Sequence, residues 1–313
     1  MSLSCGIDVG GTKIAGGVVD TDGNVLEHLR VESPARDVEA IEDAIAGLVG
    51  RLAANHDLVA VGVGAAGYID KSRSTVLFAP NLAWRDIDLK AELEPRVNLP
   101  VVIENDANAA AWGEFTYGAG HDVDDLLLVT VGTGVGGGLV LDGELYRGAF
   151  GVGAEIGHLR VVPGGRLCGC GNYGCFEQYA SGTALVRNAR EAAHAGSLLA
   201  RTLLDLTGGD IDRIDGPIIT DAAREGDKFA IEQLAELGRW LGEGIASLAA
   251  VLDPAVVAIG GGVADADELL LDPIRTAFAS NLSGRGHRPM LEIRKAALGN
   301  EAGLIGAADM ARR

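Results

Sequence analysis

Two stretches of this 313-residue chain are built on one plan. The first, "CGIDVGGTKIAGGVVDTDGNVLEHLRV", starts at Cys5. An apolar strand ends in a turn at Gly10–Gly11, a second strand runs from Ile14 to Val19, and an Asp22–Gly23 turn leads to a third. The second stretch, "DLLLVTVGTGVGGGLVLDGELY", again gives a strand, a Gly-Thr turn, a strand, an Asp-Gly turn (Asp142–Gly143) and a strand. Gly11 stands 11 residues before its Asp-Gly turn, and Gly132 stands 10 before its own. Asp-Gly between alternating apolar residues is a strong hairpin signal, because glycine and aspartate accept the positive φ that tight hairpins need. A device used twice predicts two domains of the same α/β type, each opening with an antiparallel three-strand meander.

The segments that follow each meander alternate in type. "IEDAIAGLVGRLAAN" has helical periodicity and "LVAVGVGAAG" reads as a buried strand. "PVVIENDANAAAWGEF" reads as strand, polar turn and helix. In the second half a long amphipathic pattern, "FAIEQLAELGRWLGEGIASLAAVL", precedes the strand "AVVAIGGG". Such alternation predicts mixed sheets covered by helices. The expected boundary lies near Gly118–Asp122, with a last helix from about Asn300 packing back on the first domain. The expected domains are therefore 1–119 with about 300–313, and 120–299.

The net charge of −18 argues against nucleic acid or an anionic membrane as partner, since both repel an acidic surface. Only five basic residues are lysine (Lys13, Lys71, Lys90, Lys228, Lys295). Such a balance fits either a salt-adapted surface or an ordinary acidic protein. "MSLSCGIDVGG" lacks the basic start and long apolar stretch of a secretory signal, and "IASLAAVLDPAVVAIGGG" is interrupted by Asp253–Pro254. The expected location is the cytoplasm, where thiols stay reduced.

Four motifs carry chemistry. "DVGGTK" and "TVGTGVGGG" place Gly10, Gly11 and Thr12, then Thr133 and Gly134, on turns after strands. Glycine lets backbone N–H groups approach phosphate oxygens and threonine adds a hydroxyl, while Lys13 adds charge. One such loop could be a plain hairpin; two favour a phosphate site. Asp8, at the end of the first strand, suits Mg²⁺ or its waters. "VVAIGGGVADADELL" adds Gly260, Gly261 and Gly262 between strand and helix, a candidate for the nucleoside end. "ENDAN" puts Asn105, Asp106 and Asn108 where a strand gives way to a helix. Locally, Asp106 is either a general base or an ordinary helix cap. Finally, "HLRVVPGGRLCGCGNYGCFE" crowds Cys168, Cys170 and Cys175 within eight positions, downstream of His158. Three cysteines cannot pair among themselves, so the cluster is either a metal site or an accident of composition.

Taken in order, "DVGGTK", "ENDANAAAWGE", "VTVGTGVGGGLVLDG", "EIGH", "CGCGNYGCFEQYASG" and "IGGGV" resemble the ROK family of sugar kinases and repressors along essentially the whole chain. "LFAPNLAWRD" and "EQYASG" resemble its glucokinases in particular. The resemblance implies an actin-like ATPase, ribonuclease H-like fold with the active site between two α/β domains. It implies Asp106 as base for a sugar hydroxyl, and Gly67, Asn105, Asp106, Glu155, His158 and Glu177 as sugar contacts. It also implies ATP with Mg²⁺, and a structural Zn²⁺ on His158, Cys168, Cys170 and Cys175. Glu155 and His158, at i and i+3, would then share a helical face. The implied reaction is phosphorylation of glucose at its 6-hydroxyl, in a homo-oligomer; the alternatives are a kinase for an N-acetylhexosamine or another hexose and, in a different class, a sugar-sensing regulatory protein. A repressor is not expected, because the first strand starts too early for a helix-turn-helix domain to precede it. Ala66 departs from the family, which commonly has proline there.

Overall fold

The computed structural model describes residues 2–313. The first meander is β1 (Leu3–Val9), β2 (Lys13–Val19) and β3 (Val25–Glu32). It is followed by α1 (Val38–Ala53), β4 (Leu58–Ala65), the short strands β5 (Tyr68–Ile69), β6 (Val76–Phe78) and β7 (Arg85–Ile87), α2 (Leu89–Val97), β8 (Val101–Asn105) and α3 (Asp106–Tyr117). The sheet order is β3-β2-β1-β4-β8, antiparallel through the meander and parallel from β1 to β4 to β8.

The second meander is β9 (Leu126–Val131), β10 (Val135–Leu141) and β11 (Glu144–Leu145). After it come α4 (Glu177–Ala180), α5 (Gly182–His194), α6 (Arg201–Leu206), α7 (Gly216–Arg224), α8 (Lys228–Leu252), β12 (Val256–Gly260), α9 (Glu268–Asn281), β13 (Glu292–Lys295) and α10 (Ala302–Ala311). The second sheet has the order β11-β10-β9-β12-β13, the same plan as the first. The repeated sequence device thus heads the same five-stranded arrangement twice. Two compact units result. One runs to Leu128 and includes Gly137–Ala154 and Ala296–Arg313; the other is Val129–Gly136 with Glu155–Lys295. Among the described residues no helix is long and apolar enough to cross a membrane.

In the first unit the two faces of the sheet are covered differently. Ile7, Val9, Val61, Val63 and Ile103 form one core with Ile41, Ile45, Leu48 and Leu52 of α1 and Leu89 and Leu93 of α2. The apolar residues of α1 recur at helical spacing, and its first turn is closed by Asp37, which accepts from Ala40 N at 3.1 Å. The opposite face is lined with glycine. Gly6 and Gly62 are direct neighbours across β1 and β4. A Cβ at Gly6 would lie 1.9 Å from Leu304 O, and one at Gly62 1.8 Å from Ala307 O. The backbone of α10 therefore rests directly on the strands. Its far side meets α3 as closely, since a Cβ at Gly306 would lie 1.8 Å from Ala109 O.

Polar bonds fix the register of α10. Ser4 Oγ donates to Ala308 O at 2.7 Å. The buried Asp309 accepts from Trp112 Nε1 (2.8 Å), Tyr117 OH (2.7 Å) and Arg312. Burial pushes the Asp309 carboxyl up, but the bonds from Tyr117, Trp112, Arg313 and Arg312 together hold it below the usual range.

The glycine row gives a paired prediction. Gly62→Ala must push its methyl into a backbone carbonyl that cannot rotate away, and is expected to cost about 1–3 kcal/mol. Gly47→Ala, on the exposed face of α1 with open space around its Cβ, is expected to stabilise by roughly 0.5–1 kcal/mol. Urea midpoints of the two variants check both signs; equal shifts would show that α10 does not depend on the glycines.

Candidate active site

Parallel pairing aligns the C-terminal ends of three strands in the first unit. Asp8, Gly64 and Glu104 share one row, and Val9, Ala65 and Asn105 share the next. In open α/β sheets ligands bind just beyond such ends. The Gly10–Lys13 turn follows β1, Gly67 lies just past β4, and Asp106 follows β8, so these expected residues gather at one sheet end.

The helix-cap alternative for Asp106 is resolved by its neighbour. Asn105 is the cap of α3: its Oδ1 accepts from Asn108 N at 3.0 Å and its Nδ2 donates to Gly67 O at 3.0 Å. Asp106, the first residue of the helix, is relieved of that task. Burial pushes its carboxyl above the usual range, opposed by hydrogen bonds from the backbone of Ala107 and Asp106 and from Asn105. Asp8 is pushed up to about 6, first by burial and then by the like charge of Asp106, with Lys13 acting the other way. Thr12 and Lys13 are exposed on the turn, which is closed by Gly10 N donating to Lys13 O at 3.0 Å.

One residue of this sheet end was not singled out from the sequence. Glu104 is buried, 1% exposed, beneath the Asn105–Asp106 corner. Its Oε1 accepts from Asn105 N (2.9 Å) and Asn108 Nδ2 (3.1 Å). Its Oε2 lies 3.1 Å from Arg73 Nε and 2.8 Å from Arg147 Nε. A glutamate closing the apolar run "VVIE" is the only sequence signal; its arginines come from distant segments.

In the second unit three loops converge. The Gly132–Gly134 turn is closed by Gly132 N donating to Gly134 O at 3.0 Å. It is tied to the start of α5, where Gly182 N donates to Gly132 O (2.8 Å) and Thr183 Oγ1 to Thr133 O (2.6 Å). Gly261, with φ +82°, lies so close to β9 that a Cβ would sit 2.5 Å from Val131 O. Together with α5 and α7 these loops enclose a cavity of about 770 Å³. Thr133 and Gly262 line it, as do Thr183, Arg187, Arg190 and Arg224, which the sequence did not single out. Gly260 and Gly261 support the cavity rather than line it. Gly134 turns elsewhere: a Cβ there would lie 2.6 Å from Glu177 Oε2.

The same unit assembles the cysteine cluster. One ligand atom from each of His158, Cys168, Cys170 and Cys175 lies within 4.8 Å of all the others. Cys170 and Cys175 Sγ are 3.6 Å apart, and Cys168 Sγ is 3.7 Å from His158 Nδ1. A tetrahedral ion with metal–sulfur bonds of about 2.3 Å and metal–nitrogen bonds of about 2.0 Å has edges of roughly 3.5–3.8 Å. The donor set and spacing therefore fit a four-ligand zinc-type ion. Two hairpin-like contacts shape the loop, Cys168 N to Asn172 O (2.8 Å) and Gly174 N to Arg166 O (2.8 Å). Glu177 opens α4 with Oε1 2.9 Å from Cys168 Sγ. Residues 156–158 form one 3-10 turn rather than an α-helix, because Phe176 N draws Leu159 O into a bridge (2.7 Å) and the chain straightens. Glu155 caps this turn from outside, at φ −71° and ψ 57°, so the helical face expected to carry both Glu155 and His158 does not form.

The raised Asp8 carboxyl has a consequence for stability. Its protonated form is favoured by folding, so its contribution is full below about pH 4 and is lost as pH rises through about 6. Asp8→Asn is expected to stabilise the protein at pH 7.5 by on the order of 2 kcal/mol and to have little effect at pH 4. Thermal unfolding at the two pH values checks this; a shift independent of pH would contradict it.

Comparison with known proteins covers the whole chain. The sequence profile of the ROK family matches residues 4–313. Glucokinase of Streptomyces coelicolor is 52% identical over 312 residues, spanning 100% of this chain and 98% of that protein. The crystal structure of a ROK family glucokinase from Streptomyces griseus in complex with glucose and AMPPNP matches with a TM-score of 0.91 at 53% identity, over 99% of both chains. The ROK hexokinase from Thermus thermophilus matches with a TM-score of 0.79 at 36% identity, over 99% of this chain and 98% of that one. These neighbours have the actin-like ATPase fold. Family profile, full-length identity and fold agree, and the chain belongs to the ROK family.

Proposed function

We propose that the protein is an ATP-dependent glucokinase that transfers the γ-phosphoryl group of ATP to the 6-hydroxyl of glucose. The observation that carries the reading is likeness along the full chain to two Streptomyces glucokinases, one of them holding glucose and AMPPNP. In this reading Asp106 accepts the hydroxyl proton as the oxygen attacks the γ-phosphorus in line. Burial raises its carboxyl above the usual range, which strengthens it as a proton acceptor. Gly67, Asn105, Glu155, His158 and Glu177 hold the sugar hydroxyls. His158 turns Nδ1 toward the thiols, which leaves Nε2 for a sugar hydroxyl.

The Gly10–Lys13 turn and Thr133–Gly134 supply hydroxyl, amide and ammonium donors to the transferring phosphoryl oxygens. The cavity lined by Thr183, Arg187, Arg224 and Gly262 takes the nucleoside. Asp8, a carboxylate raised first by burial and then by the like charge of Asp106, would hold Mg²⁺ or its waters; the ion would supply charge neutralisation on the phosphates. His158, Cys168, Cys170 and Cys175 would hold Zn²⁺ as a closed structural ion, which supplies rigidity to the loop that carries Glu177.

ADP formation from ATP and Mg²⁺ should be measured with glucose, mannose, fructose, N-acetylglucosamine, N-acetylmannosamine and no sugar. Glucose-selective turnover is expected; turnover confined to an N-acetylated sugar would move the substrate, and none at all would end the kinase reading. Asp106→Asn is expected to lose about 10³-fold in kcat while keeping glucose affinity. The wild-type rate should fall as pH drops through about 6, where Asp8 takes up a proton. Cys170→Ala is expected to lose bound zinc and to raise KM for glucose. Full zinc content with an unchanged KM would refute that assignment.

A further inference from the structure

Buried carboxylates are expensive, and removing a buried ion pair in favour of apolar groups is often neutral or stabilising. Glu104 is nevertheless placed 1% exposed directly before the two residues of the "ND" corner. Its two oxygens are divided between two tasks. Oε1 takes the peptide N–H of Asn105 and the side-chain amide of Asn108. Oε2 faces both guanidinium groups, Arg73 and Arg147. The carboxylate thus grips the start of α3 from below while two cations fix its own position.

Those cations are themselves anchored. Arg147, with a side chain only 9% exposed, donates from Nη1 to Lys71 O and from Nη2 to Asp70 O, both at 2.9 Å. The turn that offers these carbonyls is closed by Asp70, whose Oδ1 accepts from Ser74 N and Thr75 N at 2.9 Å. Arg73 belongs to the same turn, and its carbonyl receives Ile103 N of β8 at 3.1 Å. Beyond Arg147 the chain curls back, with Gly153 N donating to Arg147 O at 3.0 Å. Gly151, at φ +93°, fits against the turn so closely that a Cβ would lie 2.5 Å from Ile69 O. Glu155, assigned above to the sugar, follows Arg147 by eight residues.

We propose that Glu104 is a positioning residue for phosphoryl transfer, holding Asn105 and Asp106 in place, and that Arg147 locks it to the strap that leads to Glu155. The strand that carries the base and the strap that leads to a sugar ligand then share one anchor. The proposal rests on the reading of Asp106 as the base.

Full-length Glu104→Gln, Arg147→Met, Arg147→Lys and the double variant Glu104→Gln/Arg147→Met should be compared with wild type. Each needs a melting curve, kcat, and KM for glucose and for ATP. Glu104→Gln keeps the size of the side chain but weakens the grip of the arginines, and kcat is expected to fall about 100-fold with KM for ATP unchanged. Arg147→Met should act in the same sense, Arg147→Lys should recover part of the loss, and the double variant should be no slower than Glu104→Gln. A lowered Tm with wild-type kcat and KM, a multiplicative double variant, or a lysine no better than methionine would overturn the proposal. Should Glu104→Gln fail to fold, the Met–Lys contrast at Arg147 decides alone. Asp106→Asn in the same assay separates the two levels. If it is inactive while Glu104→Gln behaves as wild type, only the positioning role falls. If it retains the wild-type rate, the base assignment falls and the positioning role with it.

Discussion

The first unit depends on a pair of missing side chains. Gly6 and Gly62 stand side by side on β1 and β4, and the carbonyls of Leu304 and Ala307 occupy the space their Cβ atoms would need. Packing of this closeness exchanges side-chain burial for backbone dispersion contacts and leaves little room for sliding. Because α10 is held there, α3 is held against it through Gly306, and the start of α3 is held over Gly64, whose Cβ would lie 3.7 Å from Asp106 Cα. The position of the carboxylate at the end of β8 is therefore set by glycines on strands and by a helix at the far end of the chain.

The same geometry explains an uneven treatment of charge. Asp8, Asp106 and Glu104 all lie at one end of the sheet. Asp8 and Asp106 are left under-compensated: burial raises both, and the like charge of Asp106 raises Asp8 further. Glu104 instead receives two guanidinium groups and two N–H donors. The proposed base and cation ligand gain from an unsettled environment, whereas the proposed positioning residue gains from a fixed one. Asp309 is a second case of the latter kind, surrounded by donors at the end of α10.

The second unit gains its rigidity from turns rather than from a helix laid on glycine. The Gly132–Gly134 turn is tied to α5, Gly261 abuts β9, and the cysteine loop folds on short backbone bridges. Gly134 is the point where these parts touch, lying beside the carboxylate of Glu177. The proposed phosphate turn and the proposed sugar residue are thus kept adjacent by the absence of one methyl group.

Much of this was legible in the sequence because it is local. Turn chemistry marked both meanders, periodicity marked α1 and α8, and the crowding of cysteines with His158 marked the cluster that folding brings within 4.8 Å. In "ENDAN" Asp106 could be read as base or as helix cap, and only the hydrogen bonds show that Asn105 is the cap. Glu104, Arg73 and Arg147 were not legible together, because a glutamate at a strand end and two arginines in distant loops carry no local pattern. Nor were Thr183, Arg187, Arg190 and Arg224 of the cavity, which read as ordinary helix-surface residues. The sequence by itself determined which segments are strands, helices and turns, since those depend on neighbours a few positions away. Tertiary structure alone decided which charges are paired and which are left strained, since burial and distance between remote residues exist only once the chain has folded.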